Sequence, residues 1–245
     1  MNCCEDTFKA SKKGHIECLK TLYSQGVQLH SKTTLAAARY GHLECLKYAH
    51  ENGCPWYYTT TSAAAENGHL EILKYSHENG CKWHPFTTFY AAANGHLECL
   101  KYARENGCSW DEYTTSSAAV LQGFLNILQY SYENGCDWDS ETTDYAAEKG
   151  HLECLFYCLE NNCPIYPKTL LMLYKEQINK NLLINIRLRK VLLHPKIKNN
   201  ITEKYPKFLK AIKEYEEYIN KVYKIVELKT TLPTDIIKYE LLKYI

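Results

Sequence analysis

The chain has 245 residues and a mass of 28.5 kDa, and its 29 Lys and Arg side chains nearly balance its 28 Asp and Glu side chains. A net charge of +1 argues against a uniformly basic nucleic-acid-binding protein, and twelve cysteines are too few for a small secreted disulfide scaffold. The first thirty residues lack the apolar segment of a secretory signal, and no run of about eighteen apolar residues predicts a transmembrane helix. We therefore expect a cytoplasmic location and no membrane contact, with the nucleus as an open alternative.

One sequence unit recurs six times in the first two thirds of the chain. Each copy has a Gly-His pair, a segment similar to Leu-Glu-Cys-Leu-Lys-Tyr, an Asn-Gly-Cys or similar end and, in four copies, a tryptophan two residues later. The pairs begin at Gly14, Gly41, Gly68, Gly95, Gly123 (followed by Phe124) and Gly150, with steps of 27 residues and one step of 28. A fixed period in this range is typical of stacked repeat architectures.

Each unit is predicted to form two short helices. Thr-Thr begins the first helix, where a threonine can accept a backbone N–H, and the second helix is amphipathic. Neither helix is long enough to be stable alone, so the units must stack into an all-α solenoid over residues 1–163. The predicted helix pairs span 5–26, 32–53, 59–80, 86–107, 113–135 and 141–162. The extra residue of the fifth unit is expected near Val120 and Leu121, at the turn between its helices.

The segment Ala-Ala-Glu-Asn-Gly-His-Leu-Glu at 64–71 resembles the middle of an ankyrin repeat. The unit departs from that family by its Thr-Thr start and by its 27 residues, since an ankyrin repeat has about 33. The missing residues fall where the family carries a β-hairpin. This short form resembles the arrays that giant DNA viruses and some protists encode. The resemblance covers residues 5–175, and it implies a helical solenoid that binds another protein.

Cysteine and histidine recur with the repeat, which favours structural roles over metal binding. One column alternates cysteine with isoleucine, as expected of an apolar core position: Cys18, Cys45, Ile72, Cys99, Ile127 and Cys154. A second column contains Cys54, Cys81, Cys108, Cys136 and Cys163. The recurring histidine is predicted to begin the second helix and to hydrogen-bond the adjacent repeat.

The densest group of possible metal ligands is His151, Cys154, Cys158 and Cys163. Three of these four residues belong to repeat columns, so no metal and no cofactor are predicted. The motifs of common nucleotide-binding and hydrolytic enzymes do not occur, so we expect neither an enzyme nor a small-molecule substrate.

Columns that vary between units are candidates for partner recognition. The ankyrin resemblance implies that first helices and the loops before them line the concave recognition surface. Carried over, it predicts these partner-binding residues: Phe86, Phe89, Tyr90, Tyr113, Ser116, Glu141 and Asp144. An alternative stays open, in which some of these rings pack into the space left by the missing hairpin.

Composition changes after residue 163. Residues 1–163 carry 12 basic and 20 acidic side chains, whereas residues 164–245 carry 17 and 8. The second region is predicted to be helical, with helices over 182–193 and 207–228, and a degenerate seventh repeat begins at Lys168. Its basic character fits a solvated helix face. An acidic partner and contact with the acidic repeats are the alternatives, and nucleic acid is not the expected partner.

The last residues resemble the beginning of an F-box and the PRANC end of poxvirus ankyrin-repeat proteins. The residues that carry this resemblance are Leu232, Pro233, Asp235, Ile236 and Leu241. It implies that 232–245 recruits the Skp1 subunit of a cullin-type ubiquitin ligase. The alternative is an ordinary capping helix that begins at a proline. Two functions therefore remain: a non-catalytic scaffold that binds a protein, and a ligase substrate adaptor.

Overall fold

The computed structural model describes residues 4–110, 115–138, 141–164 and Glu217, and these residues contain twelve α-helices in six consecutive pairs and no β-strand. The pairs are α1 Thr7–Lys13 with α2 Ile16–Ser24, α3 Ser31–Tyr40 with α4 Leu43–Glu51, α5 Thr60–Glu66 with α6 Leu70–Glu78, α7 Thr87–Ala93 with α8 Leu97–Glu105, α9 Thr115–Gln122 with α10 Leu125–Glu133, and α11 Thr142–Lys149 with α12 Leu152–Glu160. The predicted all-α class and the six helix pairs are confirmed.

Short helices joined by glycine build each pair. The first helices are rich in alanine, which costs no side-chain entropy and allows close approach of a neighbour. Gly14 and Gly41 end α1 and α3 with φ values of 69° and 81°, a conformation that residues with a Cβ rarely adopt. The second helices α2, α4, α6, α8, α10 and α12 have nine residues each. Helices this short need tertiary packing for stability.

The first helices pack against one another along the repeats. α3 contacts both α1 and α5, α7 contacts both α5 and α9, and each first helix from α1 to α9 also contacts the second helix of its own pair. One leucine in each of the first five repeats is fully buried: Leu19, Leu46, Leu73, Leu100 and Leu128. The core is thus a continuous apolar layer in which each repeat supplies the same positions.

The extra residue of the fifth unit lies elsewhere than predicted. Val120 is fully buried within α9, so the chain does not bulge there. Trp83 and Trp110 are still 27 residues apart, whereas the first residues of α7 and α9, Thr87 and Thr115, are 28 apart. The insertion therefore falls between Trp110 and Thr115, in the loop before the first helix. A loop accepts an added residue more easily than a packed helix does.

The chain divides into two compact units, Met1–Cys154 and Leu155–Ile245. The predicted boundary after residue 163 stays a prediction. In the second unit the described residues are 155–164 and Glu217, which is helical and exposed. The predicted helices over 182–193 and 207–228, the seventh repeat at Lys168 and the motif at 232–245 lie outside the described residues. In the part of the chain that is described, no helix has the length and apolar character to cross a membrane.

Candidate protein-binding surface

Buried threonines join each repeat to the loop that follows. Thr61 donates its hydroxyl hydrogen to the Lys82 carbonyl, with 3.2 Å between the oxygens, and its Oγ1 accepts the His84 backbone N–H at 3.1 Å. Equivalent hydroxyl-to-carbonyl bonds are Thr7–Gln28, Thr34–Pro55 and Thr88–Ser109. Thr59, the N-cap of α5, makes no side-chain cap bond. The sequence analysis predicted that a threonine accepts a backbone N–H at the start of its own helix. This prediction is wrong for Thr61, whose hydroxyl instead bonds to the loop of the next repeat.

Four recurring histidines, His42, His69, His96 and His151, pack against the glycine of the preceding repeat. The His69 Nε2 donates to the Arg39 carbonyl at 3.2 Å, and His42 and His151 make the same bond to Lys12 and Leu121. The predicted hydrogen bond to the adjacent repeat is confirmed at these positions. Burial lowers the pKa of His69 below its ordinary value, and the bond to the Arg39 carbonyl opposes this shift.

The two cysteine columns lie in the core, as predicted, except at Cys18, which is only half-buried. Cys45, Cys99 and Cys154 are buried together with the isoleucines of their column, and the second column is buried as well. Burial raises the pKa of the Cys81 and Cys99 thiols to about 11. These thiols are therefore protonated at neutral pH and pack as small apolar groups.

Tryptophans join the ends of successive second helices by ring stacking and a hydrogen bond. The sequence analysis did not assign this role. The Trp56 ring stacks on His50 with centroids 4.2 Å apart, and its Nε1 donates to the Asn79 carbonyl at 3.0 Å. Trp83 repeats both contacts with His77 and Asn106. The fixed spacing of six residues between histidine and tryptophan was the signal available in the sequence. These contacts make the repeats a rigid support for surface residues.

Three predicted partner-binding residues form one aromatic cluster at the start of α7. Phe86 is the N-cap of α7, and its ring centroid lies 6.3 Å from that of Phe89 and 6.4 Å from that of Tyr90. The Phe89 and Tyr90 centroids are 5.3 Å apart. Phe86 is 49% exposed, whereas Phe89 and Tyr90 are half-buried.

The cluster continues into the loop of the preceding repeat. The His84 centroid lies 5.7 Å from that of Phe86 and 5.9 Å from that of Tyr58, which is 71% exposed. Tyr58 contacts Tyr57, with centroids 4.8 Å apart. We call Tyr57, Tyr58, His84, Phe86, Phe89 and Tyr90 the aromatic surface. Sequence reasoning missed its first three members because only the first-helix columns were compared, and their signal was the position of these rings directly after the tryptophan.

His84 fixes the orientation of Phe86. Its Nδ1 accepts the Phe86 backbone N–H at 3.2 Å, and its own backbone N–H is held by Thr61. Burial lowers the pKa of His84, which favours the neutral ring at neutral pH. A neutral imidazole leaves the aromatic surface without a fixed positive charge.

The remaining predicted site residues have different positions. Ser116 is 1% exposed, and its Oγ lies 3.5 Å from the Asp137 carbonyl oxygen. It takes the place of Thr88 because of the insertion before α9, so its prediction as a partner contact is wrong. Glu141 is the exposed N-cap of α11 and accepts a hydrogen bond from the Tyr145 hydroxyl at 2.6 Å, and Asp144 is half-buried in the first turn of that helix. Tyr113 lies outside the described residues.

Residues that could hold a metal ion occur in the first repeat. Within residues 4–110, 115–138 and 141–164, one group brings three potential ligand atoms within 4.8 Å of one another, and it consists of Cys4, His15 and Cys18. The sequence analysis assigned no ligand here, because Cys4 lies outside the repeat columns and the sequence does not show that it meets His15 and Cys18. The neighbouring positions of His15 and Cys18 at the start of α2 were the available signal.

Comparison with known proteins gives two positive findings. A family model for ankyrin repeats (many copies) matches residues 35–75 and 61–104. The crystal structure of the human ASB11 ankyrin repeat domain is similar with a TM-score of 0.54 and 20% sequence identity, over 62% of this chain and 81% of that chain. No curated protein sequence matches the chain. The similar structure supports the helical solenoid fold seen here.

Proposed function

Because residues 35–75 and 61–104 are ankyrin repeats, we propose that the chain is a non-catalytic scaffold that binds a partner protein through the aromatic surface. The observation that carries this proposal is the exposure of Tyr58 and Phe86, at 71% and 49%, within one connected cluster of rings. Clustered aromatic side chains supply much of the binding energy in protein interfaces. A contiguous apolar patch on a soluble repeat array is therefore best explained as a binding surface.

The aromatic surface needs little reorganisation before it binds. Phe86 is positioned by the Nδ1 of His84, and its ring has edge contacts with Phe89 and Tyr90. Threonine and tryptophan contacts hold the helices beneath these rings. Binding to such a preformed surface loses less side-chain entropy than binding to mobile rings would.

The alternative interpretation is that some of these rings fill the space left by the missing hairpin. It fits part of the cluster. Phe89 and Tyr90 are half-buried, and this burial fits a packing role beside the start of α7. Tyr58 and Phe86 keep large exposed fractions, which packing alone does not explain. We therefore assign support to the first two rings and partner contact to the other two.

Charge suggests the chemistry of the partner. Residues 1–163 carry 20 acidic and 12 basic side chains, and Glu141 is exposed at the start of α11. Complementary charge raises the rate of association and fixes orientation more than it raises affinity. We infer a partner that presents an apolar anchor to Tyr58 and Phe86 and basic groups towards Glu141 and Asp144.

Substitution of the two exposed rings tests the scaffold function. In affinity capture with the full chain, the Tyr58→Ala, Phe86→Ala double variant should lose at least about tenfold of the partners recovered with the wild type, because truncation of interface aromatics costs about 2 kcal/mol or more. A matched control is Tyr23→Ala, Tyr40→Ala, which removes two exposed tyrosines outside the aromatic surface. Equal recovery by both double variants, with unchanged circular dichroism, would remove the aromatic surface from the proposal.

A ligase adaptor is the second candidate, carried by the sequence resemblance at 232–245 alone. If Leu232, Pro233 and Ile236 begin an F-box-like helix, purified Skp1 should bind the full chain. The Ile236→Asp variant should then abolish this binding, because a buried charge without a partner is strongly unfavourable. Lys238→Ala is the matched control. The adaptor function is rejected if Skp1 does not bind the wild-type chain.

A further inference from the structure

The first repeat contains a cluster of sulfur and imidazole groups unlike anything else in the described residues. Cys4 precedes α1, whereas His15 is the N-cap of α2 and Cys18 lies in the first turn of that helix. The three potential ligand atoms lie within 4.8 Å of one another, and the Cys4 Sγ is 3.4 Å from the His15 Nδ1. Residues from two separate elements therefore converge on one point.

His15 differs from the other histidines of its column. The rings of His42, His69 and His151 reach back to a carbonyl thirty residues earlier, in the preceding repeat. The His15 ring instead has its Nδ1 against the Cys4 sulfur. This column position is structural in the later repeats, and in the first repeat it faces a thiol.

Cys18 also differs from its column. Cys45 and Cys99, at the same repeat position, are 1% and 2% exposed, whereas Cys18 is only half-buried and His15 is exposed. Cys4, the third member, is 5% exposed. The cluster thus combines one anchored thiol with two groups that solvent can reach, which leaves a path for an ion to enter.

We propose that the reduced chain binds a zinc ion through Cys4, His15 and Cys18. Thiolate and imidazole are the ligands that zinc prefers, at bond lengths of about 2.3 Å and 2.0 Å. Tetrahedral bonds of these lengths place sulfur about 3.8 Å from sulfur and about 3.6 Å from nitrogen. The 3.4 Å between the Cys4 Sγ and the His15 Nδ1 is close to the sulfur–nitrogen value, and the other separations are at most 4.8 Å.

Zinc binding requires the thiol form of Cys18. Its sulfur is in a disulfide, whereas ten other described cysteines form no disulfide. A phosphine reductant supplies two electrons, water supplies two protons, and the disulfide becomes two thiols. Each thiol that binds zinc then releases its proton to solvent. The disulfide and the metal site are therefore alternative states of the same sulfur.

Other repeats show which side chains the fold accepts in place of a proposed zinc ligand. Ile72 and Ile127 occupy the column of Cys18, and Phe124 occupies the column of His15. Cys18→Ile and His15→Phe therefore test the site with side chains that the same repeat position already accepts. Cys99→Ile and His69→Phe make the same changes in a later repeat and serve as matched controls.

The experiment measures zinc bound by the full chain after reduction with a phosphine and removal of free metal. The wild type and both controls should retain about one zinc ion per chain, and Cys18→Ile and His15→Phe should bind at least about tenfold more weakly in competition with a chromophoric chelator. Cobalt gives a second readout, since sulfur-bound tetrahedral cobalt has intense visible and near-ultraviolet absorption. This absorption should disappear in Cys4→Ser.

Three results would overturn the proposal. A metal-free reduced wild type would make the cluster a disulfide site only. Full zinc stoichiometry in Cys18→Ile would exclude Cys18 as a ligand, and an equal loss of zinc in Cys99→Ile and Cys18→Ile would remove the specificity of the site. Circular dichroism of every variant is the control for folding. It distinguishes a loss of zinc from a loss of helical structure.

Discussion

At the scale of single residues, glycine has two different roles in this chain. Gly68 and Gly80 both have positive φ values, 72° and 88°. A Cβ at Gly68 would lie 2.5 Å from the His96 Nδ1, whereas a Cβ at Gly80 would meet nothing within 4 Å. The first glycine therefore combines a backbone requirement with close packing against the next repeat, and the second has the backbone requirement alone.

This difference gives a matched pair of substitutions. Gly80→Ala should lower the free energy of unfolding by about 1 kcal/mol, the cost of a left-handed alanine. Gly68→Ala should lower it by about 1 to 2 kcal/mol more, because the His96 ring must move out of its packed position. Urea denaturation followed by circular dichroism measures both. Equal losses in the two variants would contradict the packing role of the Gly-His pair.

His69 makes the stability of the array depend on pH. Burial is the largest cause that lowers its pKa below 6.5, and the neighbouring His42 and His96 lower it further, against the bond to the Arg39 carbonyl. Below pH 6.5 the unfolded chain therefore binds more protons at His69 than the folded chain does. By linkage, this contribution reduces stability as pH falls through about 6.5, and it vanishes at higher pH.

His69→Phe should weaken this acid sensitivity, because phenylalanine does not titrate and Phe124 already fills the same column. The fall in melting temperature between about pH 7.5 and about pH 5.5 should be larger for the wild type than for the variant. Lys74→Ala, which changes a half-buried lysine of α6, is the control and should behave as the wild type. Parallel pH curves for wild type and His69→Phe would show that His69 does not carry the effect.

At the scale of elements, periodicity predicted the helices because each repeat supplies the same buried positions. Eleven of the twelve helices in the described residues lie inside the six predicted pairs, and α3 begins one residue earlier than predicted, at Ser31. The position of the insertion could not be predicted in this way, because Ala118, Ala119 and Val120 match the small-residue column in more than one alignment. In the structure, the burial of Val120 and the hydrogen bond from Ser116 to the Asp137 carbonyl, equivalent to the Thr88–Ser109 bond, show the register.

The candidate surface was predictable in part for the same reason. Phe86, Phe89 and Tyr90 lie in columns that vary between repeats and place three aromatic rings within one repeat, so comparison between repeats finds them. Tyr58 and His84 lie in loops whose conformation depends on the Thr61 contacts, and sequence periodicity does not give that conformation. The contact between Cys4 and His15 was missed since it joins a residue outside the period to one within it.

At the scale of the array, stability depends on contacts between neighbours. The second helices have nine residues, and the first helices have seven to ten, which is too short for independent stability. Successive repeats share the threonine, histidine and tryptophan bonds described above. Opening of one repeat therefore removes contacts from the next repeat, and we expect adjacent repeats to unfold together.

The buried cysteines report this coupling at several points along the repeats. Cys45, Cys81, Cys99 and Cys154 all have thiol pKa values raised to about 11, mainly by burial. Because thiolate is the reactive form, iodoacetamide should leave these four residues unmodified in the folded chain near pH 8 and label them once the repeats open. With rising urea, peptide mass spectrometry should find labelling of all four within one narrow range of concentration. Labelling of Cys99 in the absence of urea would contradict its burial, and separate midpoints for Cys45 and Cys154 would show that the two ends of the array open independently.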